Sequence, residues 1–537
     1  MSRFVRASKY RHVFGQPAKK EHGLDNIKVS SSAWDTNLIA ASGKYISVNW
    51  NASGGGAFAI LPAPSPFQAL SNIPFKLPDI IPLARSHTAP VLDTDWSPHN
   101  DETVASAGED GKVMIWKVEA SAFEEWGSDH WEPHDFDPVL RIDASPRKVG
   151  QVLWHPTAQH VLASASGDHT VKLWDLGSPE SPKSMLSGHG DAIQSLTFNP
   201  TGQLLATTCR DRKLRLFDPR AGGEAVRTVE AHGGIKGARV VWMGDRDRIA
   251  TTGFSRMSDR QVGIWETGGL TNIKTTMLDQ SAGVMMPFWS DNNILFLAGK
   301  GDGNIRYYEY ESDNLYALAE HKSSDPQRGM CFLPRRALNT SECEIARAYK
   351  ITGSGIEPIA FIVPRKAADS FQSDIFPPAP SAEPSLTAGE FFSGKTAPLK
   401  LVSLENGTIS SVPASATPVL PPPVFPAPTK TQSAPLPEPA PAPVPAHASS
   451  PVLKSPEPTK PTPSPARDPT PIVSSPAETK LPSRSQSTND DLSAIREENT
   501  RLNSELRDAR TQIRNLELQV ESMKANARKA AEALLNQ

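Results

Sequence analysis

Ser164–Asp175 reads SASGDHTVKLWD. Small and β-branched residues flank a turn pair, which predicts a strand, a tight turn at Gly167-Asp168 and a second strand ending on Trp174. The pattern recurs along the chain. An acidic residue stands six positions before an aromatic at Asp110/Trp116, Asp168/Trp174, Asp211/Phe217, Asp259/Trp265 and Asp302/Tyr308. Successive aromatics lie 58, 43, 48 and 43 residues apart. Ser106, Ser164 and Thr207 precede their Asp by four positions, and His87, His189 and His232 open their repeats.

A period of roughly 40–45 residues with this signature belongs to WD-repeat propeller blades. The expected fold is an all-β seven-bladed propeller. In such a blade His, Ser/Thr, Asp and Trp form one hydrogen-bonded set, so His87, Asp110, Trp116, Asp168, Trp174, His189, Asp211, Asp259, Trp265 and Asp302 read as structural rather than catalytic. Blades are expected near 27–62, 88–118, 139–176, 185–218, 228–266, 274–310 and 325–363, the last closed by a strand within FVRASKYRHVFG at the N-terminus. Closure of that kind removes an open sheet edge. Three sets are incomplete: Lys44 stands where blade one would carry its Asp before Trp50, Ser145 replaces the opening His of blade three, and Ala298 replaces the hydroxyl of blade six. Gly54-Gly55-Gly56 lies between two strand patterns and predicts a hairpin turn.

The 537 residues carry a net charge of -3, which gives no global bias toward nucleic acid or membrane. Three scattered cysteines fit a reducing compartment and form no metal-ligand spacing. The start MSRFVRASKY is basic without an apolar core, and no apolar run reaches the roughly 18 residues a span needs. A soluble cytosolic protein without cofactor or metal is expected. GEFFSGKT at 389–396 fits the phosphate-loop pattern, but it follows PPAPSAEPSLTA rather than a core strand, so it is expected to pack its phenylalanines on the propeller instead of binding nucleotide.

Nearly half of the 50 prolines fall between Pro413 and Pro482. The expected organisation is a propeller over 1–365, an extension packed on it over 366–412, a disordered Pro/Ser/Thr-rich linker over 413–488 and a coiled coil over 489–537. Ser464 precedes Pro465 and is a candidate phosphosite. From residue 490 the spacing turns helical: Leu492, Ile495, Asn499, Leu502, Leu506, Ile513, Leu516, Val520 and Met523 lie on a seam of alternating three- and four-residue steps. One copy cannot bury such a seam, so a homo-oligomer is expected, with Asn499 favouring two strands. Residues 1–28 carry seven Lys or Arg against Glu21 and Asp25, and Arg6, Lys9 and Arg11 among them are candidates to meet an acidic partner surface.

These residues together resemble the coronin family. FVRASKYRHVFGQPAKKE, WNASGGGAFAI, RKVGQVLWHPTAQHVLASAS, TTGFSRMSDRQVGIW, GKGDGNIRYYE, QRGMCFLPRRALN, CEIARAYKI, FIVPRK and FFSGKTAPLKLVSL carry the likeness, which covers residues 1 to about 405 and the terminal coil. WNASGGGAFA is most similar to fungal members. The resemblance implies no enzyme activity. It implies F-actin binding and bundling, regulation of the actin-related protein complex that nucleates branches, cooperation with cofilin, and residence in cortical actin patches of the cytoplasm. By motif position the family's filament-contacting basic residue is Lys28, in NIKVS, where many members carry Arg. The family's trimer-specifying coil pattern is absent, so dimer and trimer both stay open. A WD-repeat adaptor in trafficking or ubiquitin ligation, without actin binding, is the alternative.

Overall fold

The computed structural model describes residues 6–124, 126, 128, 131–365, 370–411, 501 and 504. The chain divides into two units, 1–427 and 428–537. The second contributes only Arg501 and Ser504, both in helical backbone. The expected linker, Ser464 and the seam positions from Leu492 to Met523 lie outside the described residues.

Seven four-stranded antiparallel sheets, blades 1 to 7, span 39–87, 91–143, 149–186, 193–230, 239–279, 285–322 and 329–362, the last joined by Phe14–Pro17. The first strand of each blade packs beside the first strands of its neighbours, and Ile39–Ala41 of blade 1 lies against both Val91–Trp96 and Gly329–Phe332. The sheets therefore close into a ring. Phe14–Pro17 pairs with the third strand of blade 7, Phe14 opposite Ile362 and Pro17 opposite Ile359. The strand that joins blade 7 lies later than the expected stretch FVRASKYRHVFG, which contributes only Phe14 and Gly15 to it; residues 9–12 form a turn instead.

The sequence repeats are staggered against the sheets. The expected blade at 139–176 contributes its opening stretch to blade 2, where Pro138–Asp143 is the outermost strand. Met185 likewise lies in the outer strand of blade 3, Ser184–Leu186. Blade 1 takes its outer strand, Leu83–His87, from beyond the expected bound at 62. Each repeat thereby straddles two sheets, which ties neighbouring blades together covalently.

Blade faces are buried on both sides, which explains the run of small and branched residues. Val161, Leu162, Ala163, Val171 and Leu173 of blade 3 have no exposed surface. The hydrogen-bonded set is complete in blade 2. His87 Nε2 lies 2.8 Å from Ser106 Oγ, His87 Nδ1 lies 3.0 Å from Asp110, and Trp116 donates to Ser106 at 2.8 Å. Burial acts to raise Asp110, but hydrogen bonds from His87 and from the Thr88 and Lys112 amides hold it below the ordinary carboxylate range. In blade 3, Ser145 takes the place of His and donates to Asp168 at 3.1 Å, while Trp174 donates to Ser164 at 2.9 Å. In blade 4, His189 meets Thr207 at 2.9 Å but turns its other nitrogen to the His169 carbonyl, and Asp211 is gripped by Arg215. Blade 5 departs further. His232 bonds Thr251 at 2.9 Å and Gln261 at 3.3 Å, while Asp259 accepts from Ser255 at 2.8 Å within its own hairpin. A longer turn moves Asp259 out of the histidine's reach. Asp302 of blade 6 instead pairs with Arg260 of blade 5 at 2.7 Å.

The Lys44/Trp50 pair is not a blade turn. Lys44 sits in the first turn of blade 1 and pairs with Glu102 at 2.9 Å, while Trp50 ends the second strand. The turn that follows is the glycine hairpin, with Gly54 and Gly55 at φ +81° and +140°. A Cβ on Gly56 would lie 1.8 Å from the Ala89 carbonyl, so only glycine lets blades 1 and 2 approach there.

Candidate functional site

Strands in each blade alternate direction, so the turns between second and third strands lie on one rim of the ring, here the upper rim. The turns between first and second, and between third and fourth, lie on the lower rim. Lys28 belongs to the upper rim. Its carbonyl accepts from Asn51 at 2.7 Å, and Ile27 donates to the Ser354 carbonyl at 2.8 Å; both partners are second-to-third-strand turns, of blades 1 and 7. The Lys28 side chain is exposed, and its ammonium donates to the Asp79 carbonyl at 3.0 Å. Asn26 binds the same loop through the Leu77 carbonyl at 2.8 Å. That loop fixes the position of Lys28 without neutralising its charge.

Arg6, Lys9 and Arg11 lead into the lower rim. Tyr10 between them accepts from Asn292 at 3.0 Å, in the first turn of blade 6. Arg6 pairs with Glu309 and with Glu311 at 2.7 Å and lies 4.4 Å over Tyr316. Lys9 donates to the Asp374 carbonyl, and Arg11 is exposed. The four candidate cations therefore do not form one surface. Arg6 is committed to an intramolecular ion-pair network, and Lys28 stands apart from the other three.

The first blade is expected from residue 27, but its first strand is Ile39–Ala41, and the residues before it form no blade strand. Residues 30–37, SSSAWDTN, run across the ring as a strap. The Ser30 carbonyl accepts from Arg328 of blade 7 at 2.7 Å. The Trp34 indole donates to the Gly150 carbonyl of blade 3 at 2.8 Å, beneath the Lys148 ammonium at 4.1 Å. Asp35 pairs with Arg239 of blade 5 at 3.1 Å and Lys300 of blade 6 at 2.7 Å. Thr36 donates to the Leu92 carbonyl of blade 2 at 2.6 Å. Desolvation works to raise Asp35, but the two cations overcome it and keep the carboxylate below its ordinary range. The strap starts two residues after Lys28, so it anchors the candidate cation to five blades.

GEFFSGKT does not build a phosphate loop. Its first glycine, Gly389, lies inside a single-turn helix, Ala388–Phe392, whose amides are capped by Thr387 and Glu390. Lys395 bonds the Glu390 carboxylate at 2.6 Å. Phe391 is buried with its ring 4.2 Å from that of His155, and Phe392 packs partly against the same cluster. Burial pushes His155 down to about 3, so it sits there as a neutral ring.

Comparison with known proteins places this architecture. Residues 3–67 match a family described as a domain of unknown function, DUF1899. Residues 81–117, 136–175 and 180–218 match the WD domain, G-beta repeat, and 356–399 match a type of WD40 repeat. A coronin-like protein of Schizosaccharomyces pombe is 50% identical over 427 residues, covering 78% of this chain and 68% of that protein. This chain belongs to the coronin family. The coronin-like protein of Saccharomyces cerevisiae is 49% identical over 403 residues, 73% of this chain and 60% of that protein, so the chain spans three-fifths of that relative's length. Coronin-A of Dictyostelium discoideum is 42% identical over 418 residues, covering 77% and 89%. Among solved structures, the WD40 domain of Toxoplasma gondii coronin superposes with a TM-score of 0.66 at 29% identity, covering 73% of this chain and 97% of that one. Among the described residues no helix is long and apolar enough to cross a membrane.

Proposed function

We propose that this coronin binds actin filaments in the cytoplasm, at cortical actin patches, and acts there as a non-enzymatic regulator. Membership of the coronin family carries the reading. The propeller supplies a filament contact that includes Lys28, and the coil over 489–537 gathers copies so that filaments are bundled. The actin-related protein complex that nucleates branches and cofilin are the further partners. The propeller of 1–365 and its extension of 366–412 form the filament-binding part, and the linker of 413–488 separates it from the coil. The position of Lys28 supports its role: it is exposed, carries no carboxylate partner among the described residues, and is held at a fixed place by the strap. Arg6 has less to offer a partner, because its guanidinium is already paired.

Co-sedimentation of the purified full chain with filaments tests this. Lys28→Asp is expected to weaken binding about tenfold or more, with the melting temperature unchanged, because the residue lies on the surface. Lys28→Arg is expected to bind at least as well as the natural residue, since guanidinium offers two donors to a carboxylate. Wild-type pelleting by Lys28→Asp would remove this residue from the contact. Failure of the wild-type chain to pellet with filaments at low salt would favour the adaptor class instead.

A further inference from the structure

Blade 5 carries an unusual corner on its upper rim. The turn between its second and third strands, 255–259, places Met257 84% exposed and Arg256 in solvent. The loop entering the blade, 231–238, packs against this turn: Gly234 donates to the Phe254 carbonyl at 2.8 Å, and the Lys236 ammonium lies 4.8 Å from the Phe254 ring. Ile235, at the tip of that loop, is 73% exposed. Met277, in the outer strand beside Gln261, is 52% exposed at the same end of the sheet. The neighbouring turn of blade 4 adds Arg210 and Arg212, which line one cleft together with Gly234 and Lys236. The local carboxylates are engaged. Asp211 is held by Arg215 and the Gly190 amide, Asp259 by Ser255, and Asp191 lies 4.0 Å from Arg210. Arg212, Lys236 and Arg256 have no ion-pair partner among the described residues.

We propose that this corner is a docking surface for an anionic bilayer, with Ile235, Met257 and Met277 entering the headgroup boundary and Arg212, Lys236 and Arg256 meeting lipid phosphates. Apolar side chains this exposed in a soluble fold ask for a partner. Ile235 and Met257 project from neighbouring turns, Met277 lies on the outer strand beside them, and cations are interleaved with all three. A protein partner would need a pocket matched to each side chain, whereas a bilayer interface accepts projecting apolar groups anywhere along it. Binding then sums a small buried apolar area with attraction to negative lipid, neither being enough alone. The surface lies on blades 4 and 5, away from Lys28 at the junction of blades 7 and 1, and does not depend on the filament reading.

Sedimentation of the full chain with vesicles tests it, comparing pure phosphatidylcholine with a mixture holding about 30 mol % phosphatidylserine. The wild-type chain is expected to pellet with the anionic vesicles only and to be released as salt is raised. The triple variant Arg212→Glu, Lys236→Glu, Arg256→Glu should lose about 100-fold in vesicle affinity. The variant Ile235→Ser, Met257→Ser should lose roughly tenfold while keeping its salt dependence. Both sets change exposed side chains, so their melting temperatures should match wild type, and both should still pellet with filaments. Absence of wild-type binding to anionic vesicles, or vesicle binding untouched by the charge reversals, would overturn the proposal. Loss of filament pelleting with vesicle binding intact would assign the corner to a protein partner.

Discussion

Asp95 shows how the ring is sealed one side chain at a time. It lies on the inner strand of blade 2 and accepts from the Trp154 amide of blade 3 at 2.9 Å, while Asp93 accepts from the Val152 amide at 3.1 Å. The innermost strand of a blade has no partner strand on its channel side, so these carboxylates satisfy amides that would otherwise be orphaned. The surrounding protein makes ionisation costly. Desolvation pushes Asp95 up to about 7, against the hydrogen bond from Trp154, and Asp93 up to about 8. A carboxyl raised in the folded state binds more protons there than in the unfolded chain. Stability is then greatest below the unfolded value near 3.8 and falls as pH rises toward about 7. Asp95→Asn keeps an acceptor for the Trp154 amide and removes the titration. The variant should melt at the wild-type temperature near pH 4 and about 2–6 °C above it near pH 8. Thermal melts across that range check this, and a variant less stable than wild type at the higher pH would contradict it.

Among the elements, the strap at 30–37 reaches five blades. Asp35→Ala would leave Arg239, only 6% exposed, and Lys300 without their shared counter-ion. Removing one partner from a buried charge cluster costs about 3–5 kcal/mol. The carboxylate is held below its ordinary range, so its contribution is present at neutral pH and is lost as pH falls below the unfolded value. Melting at pH 7 is expected to show the full loss for Asp35→Ala, and melting near pH 3 a smaller one. This element was not legible in the sequence, whereas the blades were. An Asp followed six residues later by an aromatic is a local signal, because one hairpin contains both. The strap has no period, and its partners stand 116 residues away at Gly150 and 204 away at Arg239. The seventh blade was legible through strand patterns alone, but its closing strand was placed too early, since only Phe14 and Gly15 of FVRASKYRHVFG belong to it. The stagger of repeats against sheets was not, since a repeat's phase does not say which neighbour it pairs with. The histidine set was legible in full at His87, Ser106, Asp110 and Trp116; it failed at Asp211, which Arg215 holds, and at Asp259, where a longer hairpin substitutes Gln261. The rim to which a cation belongs depends on strand direction, so Arg6, Lys9, Arg11 and Lys28 read as one basic cluster although the ring separates them.

At the scale of the whole molecule, the proposed function requires a filament contact on the propeller and an oligomer through the coil to work together. A contact built on a few surface cations is weak and screened by salt. Joining copies through a helical seam makes the second contact effectively intramolecular, which can raise overall avidity by 10²–10⁴ without any new residue at the interface, as linked binding modules generally do. On that proposal the proline-rich stretch over 413–488 would be the tether that sets effective concentration. A chain ending at Val412 retains all seven blades, the closing strand Phe14–Pro17 and the docked helix Ala388–Phe392. It is therefore expected to melt as the full chain does and to bind single filaments about 100-fold more weakly, with bundling abolished. Replacing the coil by an unrelated parallel dimer should restore most of the affinity and the bundling, because only the number of linked rings matters. Co-sedimentation at high and low speed separates binding from bundling in all three proteins. If the truncated chain bound filaments as tightly as the full one, each ring would carry the whole affinity by itself, and the coil would have to serve some purpose other than joining contacts.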